Sequence, residues 1–235
     1  MDKLSIVLAL RNEEGSIEEL IRRFSKVCKY LDIDYNIIVY SAGSTDNTGN
    51  IVKRLEKDIP VILYDGPKEQ YFINALRHGL AKVEKDAYTL VSDADLQYLP
   101  EDLVLLWKYR KDYDLITGVR YRRKDPFYKK LISTIFHSLV YLVFMRPFRD
   151  MDTGFKLFNN KVLKIVYDNI WWLKNGAYTE IFLRVWKKGY RIKYVSIHHD
   201  YRRYGHTKIT DMNNFFHNIS MQLHGLFHLW KDLTF

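Results

Sequence analysis

Residues 87–103 read AYTLVSDADLQYLPEDL. The apolar run at 87–92 fits a buried strand. It ends on Ser92, Asp93, Ala94, Asp95 and Gln97, and Pro100 follows at the tolerated first turn of a helix expected to run to about Tyr109. Two carboxylates one residue apart, just past a strand, can reach a common point. A hard divalent cation takes such oxygen ligands and keeps room for substrate phosphates. Gln97 can add its carbonyl oxygen, so Asp93, Asp95 and Gln97 are candidate metal ligands. Two solvated acids at a turn are the plainer reading of the same residues.

Outward from this stretch, short apolar runs alternate with helical patterns. Residues 4–10, 35–40, 61–64, 87–92 and 115–118 read as strands, and 13–30, the stretch up to 55, 70–82 and 100–109 as helices. That order points to a mostly parallel α/β sheet covered by helices on both faces. Ligands of such sheets bind beyond the carboxyl ends of the strands, where 41–46 and 93–97 both fall. In the second half, 127–145 reads as an apolar helix or pair of helices, 161–167 and 177–188 as helices, 190–197 as a strand and 211–230 as an amphipathic helix. The expectation is one domain over 1–235, with a nucleotide and metal half at 1–118 and an acceptor half at 119–235.

Of the 235 residues, 47% are hydrophobic and 28% charged, a globular balance that excludes a disordered chain. The formal charge of +9 favours anionic partners without choosing among them. Cys28 is the only cysteine, which excludes an internal disulfide and a cysteine-based metal cluster and fits a reducing compartment. The N-terminus turns acidic too soon for a signal peptide. The uncharged run 131–145 is shorter than the roughly 20 residues of a spanning helix. Residues 121–130, YRRKDPFYKK, place many cations directly before that apolar run, a pattern suited to an anionic membrane surface. A solvated basic loop before a core helix is the alternative. The aromatic stripe of 211–230 could dock on the sheet, rest on lipid or pair with a membrane protein or a second copy. No helix-turn-helix, zinc spacing or aromatic RNA-binding strand is present, so no nucleic-acid partner is expected.

Five segments in order carry a resemblance: LSIVLALRNEEGSI at 4–17, AGSTDNT at 42–48, SDADLQYLPEDL at 92–103, DMDTGFKLFN at 150–159, and Tyr178-Thr179-Glu180 with Gly189 and RRYGHTK at 202–208. Together they resemble the family 2 glycosyltransferases, and within them the polyprenyl-phosphate branch typified by dolichol-phosphate mannose synthase. The resemblance covers about residues 4–208. It implies a GT-A type fold for nucleotide-diphospho-sugar transfer, inversion at the sugar carbon, and Mg2+ or Mn2+ held by Asp93, Asp95 and Gln97. It implies that Leu10, Asn12, Glu13, Ser41, Asp46, Ala94, Asp95 and Lys208 bind the donor. Arg120, Lys129, Ser133 and Arg202 fall where that branch binds the acceptor phosphate, and Glu180 in its active-site helix. The chain departs from the pattern at Ser41 and Ala42, where acidic residues are usual, and at Lys129, where arginine is usual.

The expected reaction moves a sugar from a nucleoside-diphosphate sugar to a polyprenyl phosphate. The alternative acceptor is a hydroxyl of a glycan or another molecule. Asp93, Asp95 and Arg202 would act on the departing diphosphate. A phosphate acceptor is already ionised, whereas a hydroxyl needs a base. Glu180 and Asp150 are the carboxylates to examine for that role, although Asp150 could instead hold the Gly154–Phe155 loop. The expected location is the cytoplasm, peripherally on the cytoplasmic face of a membrane.

Overall fold

The computed structural model describes residues 2–69, 71–121, 124–125, 127–167, 169, 171–174, 176–204 and 215–234. The side chains of 128, 129, 167 and 215–219 lie outside that description.

Seven strands form one sheet. They are β1 (Lys3–Leu10), β2 (Asp34–Ala42), β3 (Val61–Gly66), β4 (Tyr88–Ser92), β5 (Leu115–Tyr121), β6 (Lys156–Phe158) and β7 (Ile192–His198). Their spatial order is β3-β2-β1-β4-β6-β5-β7. β1 runs parallel to β2 and β4, β2 to β3, and β5 to β7. Only β6 is antiparallel to its neighbours β4 and β5. Reversal brings the residues just before β6 to the edge at which the other strands end.

Helices cover both faces. α1 (Ile17–Tyr30), α2 (Thr48–Leu55) and α4 (Leu103–Trp107) lie on one side. α3 (Phe72–Leu80), α5 (Phe127–Phe144), α6 (Asn160–Tyr167), α7 (Ala177–Lys187) and α8 (Phe215–Thr234) lie on the other. Strand alternation explains the split. Leu4, Ile6 and Leu8 of β1 enter the first core, with Phe24 of α1 and Leu106 of α4. Val7 and Ala9 enter the second, with Leu76 of α3 and Phe182 of α7.

The mostly parallel α/β reading holds, with differences in detail. β6 is not legible in the sequence, because a three-residue strand is too short to show a period. β5 continues to Tyr121, so Arg120 lies in a strand rather than a basic loop. The segment after Pro100 is a short 3-10 turn followed by α4, which ends at Trp107. α5 is a single helix. The start of the C-terminal helix expected at 211 lies outside the described residues, and its end extends to Thr234.

Phe24 is fully buried and stacks on Phe155 at 6.5 Å, pinning α1 to the segment before β6. Phe24→Ala is expected to lower unfolding free energy by about 3–5 kcal/mol in urea titrations. A loss below about 1 kcal/mol would show that this face is not packed as described.

Candidate active site

At the carboxyl end of β1 the chain turns through Asn12, whose φ of 58° lies in the left-handed region that asparagine tolerates. Asn12 Oδ1 accepts from the Thr45 N–H at 2.8 Å, and the Asn12 N–H donates to Ser44 Oγ at 3.0 Å. The β1 and β2 loops are thereby tied together. Asp46 accepts from the Thr48 N–H at 3.1 Å, the Thr48 hydroxyl at 2.6 Å and the Glu14 N–H at 3.1 Å. Burial raises its pKa, but these hydrogen bonds outweigh it and hold the carboxylate below its ordinary value. Beside this turn lies a polar pocket of about 130 Å³, lined by Ser41, Ser44, Asp46, Asn50, Lys53 and Asp65 among others. Asp65 stands opposite Ser41 in the β2–β3 register. It supplies a carboxylate to a turn that has Ser41 and Ala42 where acids are usual. Its position at the end of the third strand was a legible signal.

The acidic loop leaves β4 one strand away. Leu96 has a φ of 59°, a strained conformation for a leucine. Its side chain is buried, the Gln97 N–H donates to Asp95 Oδ1 at 3.1 Å, and the Asp200 N–H donates to the Gln97 carbonyl at 2.9 Å. Ser16 Oγ donates to the Ala94 carbonyl at 2.7 Å and fixes the loop to the start of α1. The Gln97 side-chain nitrogen donates to the Asp200 carbonyl at 3.2 Å. Leu10 is buried at the end of β1.

Asp93 accepts from the Tyr178 hydroxyl at 2.9 Å. The Gly154 backbone packs against it so closely that a Cβ there would lie 2.3 Å from Asp93 Oδ2. Burial, and then the charge of Asp95, push the Asp93 carboxyl up to about 7. Arg202 reaches Asp95 Oδ2 at 3.3 Å and bonds Glu13, bridging two acids whose residues are 107 and 189 positions away. Burial raises the Glu13 carboxyl, and the Arg202 charge only partly offsets it. Arg202 thus draws Glu13 and Asp95 together, and Asp93 lies near enough for the Asp95 charge to raise its pKa. Among the described residues, no three His, Cys, Asp or Glu side chains form a metal-ligating group. Two mutually repelling carboxylates, one half-buried and one buried, still suit a hard cation whose remaining ligands are diphosphate oxygens.

Other expected residues have different partners. Asp150 takes the Arg120 N–H at 2.8 Å and Nε at 2.9 Å, and also bonds Nη2. Its carbonyl accepts from Thr153 Oγ1 at 2.9 Å, so Asp150 anchors the loop before Gly154. Burial raises its pKa, but Arg120 more than compensates and the carboxylate stays below its ordinary value. Glu180 is fully buried. Its Oε1 accepts from Arg184 at 2.8 and 3.0 Å, and its Oε2 from the N–H groups of Trp172 at 2.8 Å and Leu173 at 2.7 Å. α7 presents Tyr178 and Thr179, not Glu180, to the carboxylates at the sheet edge. His198 bonds Asp102, and His199 faces Asp125 and the ring of Tyr98. Ser133 donates to Asp152 at 3.3 Å. Lys208 and the Lys129 side chain lie outside the described residues.

Residues 5–167 match the family model described as Glycosyl transferase family 2. An undecaprenyl-phosphate 4-deoxy-4-formamido-L-arabinose transferase of Enterobacter sp. (strain 638) is 32% identical over 143 residues, 59% of this chain and 43% of that protein. The protein of the same name from Sodalis glossinidius (strain morsitans) is 31% identical over 60% of this chain and 44% of its own. The chain therefore spans less than half the length of these curated relatives. A crystal structure of glucosyl-3-phosphoglycerate synthase from Mycobacterium tuberculosis, with Mn2+, uridine-diphosphate and phosphoglyceric acid, aligns with a TM-score of 0.76 at 16% identity. It covers 97% of this chain and 78% of its own. The fold is the GT-A type α/β fold.

The expected placement in the polyprenyl-phosphate branch, with a polyprenyl-phosphate acceptor, is corrected here. Likeness over 97% of the chain is to a synthase whose crystal holds a small non-lipid acceptor. Two of the side chains expected to take the lipid phosphate also have protein partners, Arg120 with Asp150 and Ser133 with Asp152.

The raised Asp93 pKa has a measurable consequence. The unfolded chain releases this proton near 3.8 and the folded state near about 7. Below about pH 4 both states hold it. As pH rises towards 7 the unfolded state alone loses it, so stability falls across that window. Asp93→Asn should remove the loss, giving a melting temperature above wild type at about pH 8 and a gap that closes towards about pH 4. Mn2+ with a nucleoside diphosphate should raise the melting temperature of wild type and leave Asp93→Asn nearly unmoved. An equal shift in both proteins would remove Asp93 from the metal site.

Proposed function

We propose a function for this chain, which belongs to glycosyl transferase family 2 and is a glycosyltransferase: it moves a sugar from a nucleoside-diphosphate sugar to a hydroxyl of a small non-lipid or glycan acceptor. The observation that carries this reading is the pair of half-buried Asp93 and buried Asp95 at the sheet edge, bridged through Asp95 to Arg202.

In this reading the polar pocket holds the nucleoside. Asp65 accepts from the base, and Ser41, Asp46 and Lys53 line the ribose and phosphate side. Asp93 and Asp95, with Gln97 beside them, would hold Mg2+ or Mn2+, which when bound neutralises charge on the departing diphosphate. Arg202 already lies between Glu13 and Asp95 and can move its guanidinium onto a diphosphate oxygen without leaving the site. Tyr178 and the Gly154 backbone keep Asp93 facing that point. UDP-sugars are the first donors to test, since the solved relative binds uridine-diphosphate.

Among the described residues no helix is long and apolar enough to cross a membrane. α5 nevertheless exposes Leu131, Ile135 and Leu142, and meets α8 in an apolar groove of about 340 Å³ that includes Leu223, Phe227 and Trp230. Lys231 lies 4.6 Å over the Phe227 ring and puts a cation at the rim. With the +9 charge, this supports placing that face on an anionic lipid surface. Wild type should sediment with phosphatidylglycerol vesicles at low salt, and Leu142→Asp should not. Equal recovery of both proteins would exclude this face.

Nucleotide release should require Mn2+ or Mg2+, a sugar donor and a hydroxyl acceptor such as phosphoglyceric acid or a short glycan. Asp95→Asn should lower kcat at least roughly 100-fold while the far-ultraviolet spectrum stays unchanged. Turnover with a polyprenyl phosphate alone would overturn the acceptor reading. No turnover with any donor would overturn the transfer reading.

A further inference from the structure

A hydroxyl acceptor must lose a proton as it attacks. The acids nearest the reacting edge are already engaged. Asp93 and Asp95 face the diphosphate site, Glu13 is paired with Arg202, Asp150 is clamped by Arg120, and the Glu180 oxygens are taken by Arg184 and two backbone N–H groups. One arrangement on the acceptor side remains unassigned. Asp152 Oδ2 lies 3.2 Å from His137 Nε2 and 3.3 Å from Ser133 Oγ, and Asp152 Oδ1 accepts from Thr179 Oγ1 at 2.5 Å. His137 stands one helical turn after Ser133 on α5, with a quarter of its side chain exposed.

Two short connections tie Asp152 to the residues that pack on Asp93. Gly154, against the Asp93 carboxylate, is two residues after Asp152, a reach of at most about 7 Å. Tyr178, which bonds Asp93, directly precedes Thr179, which bonds Asp152. Burial pushes the Asp152 carboxyl up, but the hydrogen bond and the charge of His137, then the Thr179 hydrogen bond and the charge of Arg120, outweigh it and hold it below its ordinary value. In the neutral imidazole, an acceptor oxygen of Asp152 on Nε2 requires the proton there and leaves the Nδ1 lone pair as proton acceptor.

We propose that His137 is the general base for the acceptor hydroxyl and that Asp152 is its positioning residue, an assignment that rests on the hydroxyl-acceptor reading above. As the acceptor oxygen bonds to the anomeric carbon, its proton passes to His137 Nδ1. The bond from that carbon to the diphosphate oxygen breaks, and its electron pair leaves with the nucleoside diphosphate. Asp152 balances the imidazolium charge, as in other carboxylate–histidine pairs. Nothing in this step needs a redox partner. A phosphate acceptor, already ionised near neutral pH, would have no use for it.

The test uses the full chain with Mn2+, a UDP-sugar and whichever hydroxyl acceptor wild type turns over. His137→Gln keeps an amide to hydrogen bond Asp152 but cannot take a proton. It should lose about 10²–10⁴-fold in kcat, with the Kd for UDP and Mn2+ and the melting temperature close to wild type. His137→Ala should regain activity when imidazole is added, which a purely structural role would not allow. Asp152→Asn should lower kcat without moving donor affinity. Activity of His137→Gln within about threefold of wild type, or loss of donor binding together with activity and no imidazole rescue, would overturn the base assignment and leave the hydroxyl reading standing. Wild-type transfer to phosphate acceptors only would overturn both.

Discussion

Two carboxylates close together at a partly buried sheet edge repel each other, and the loops at that edge are arranged around that fact. Asp93 and Asp95 sit where β4 ends, with burial and mutual charge keeping the Asp93 proton on to about 7. The electrostatic cost is offset locally by the Tyr178 hydroxyl on Asp93 and the Arg202 guanidinium on Asp95. Structures that only need to be stable avoid such a pair. A site that must accept positive charge has a reason to keep it.

Topology makes the convergence possible. β1, β2, β3, β4, β5 and β7 all end at one edge, while β6 runs the other way and begins there. Asn12, Ser44, Asp65, Asp93, Arg120, Gly154 and His199 therefore lie along one rim, although they come from most of the chain's length. Gly154 shows how tight the fit is: its missing Cβ is what lets the β6 entry loop touch Asp93. Lys156, two residues on, is a fully buried cation whose Nζ donates to Thr117 Oγ1 at 2.8 Å. Burial lowers its pKa to about 7 even though Asp150 and Asp152 oppose the shift.

Charge is divided along the rim. The β1 to β4 side gathers Glu13 and Asp95 around Arg202, with a polar pocket beside them. The β5 to β7 side neutralises its acids internally, with Arg120 on Asp150 and, behind α7, Arg184 on Glu180. That division explains why carboxylates which look equally catalytic in one dimension differ in three. Asp150 and Glu180 hold loops in place. Asp93 and Asp95 are held at the edge where a ligand can reach them.

Local pattern was enough for the sheet, its helical cover and the acidic turn, because strand and helix periods and a D-x-D after an apolar run are written in adjacent residues. The three-residue β6 had no period to show, and Asp65 was legible only by asking what ends each strand. The partner of each charged side chain was not local. Arg202 meets Glu13 across 189 positions, Tyr178 meets Asp93 across 85, and Arg120 turns to Asp150 across 30. Such pairings depend on which strand ends lie side by side and on which of two nearby acids a cation neutralises. Sequence by itself determined the fold class and the acidic loop. The tertiary structure alone decided that Glu180 and Asp150 are anchors and that Ser133 and His137 share Asp152, because a side chain's charge acts on whatever the packed sheet places within a few ångströms of it.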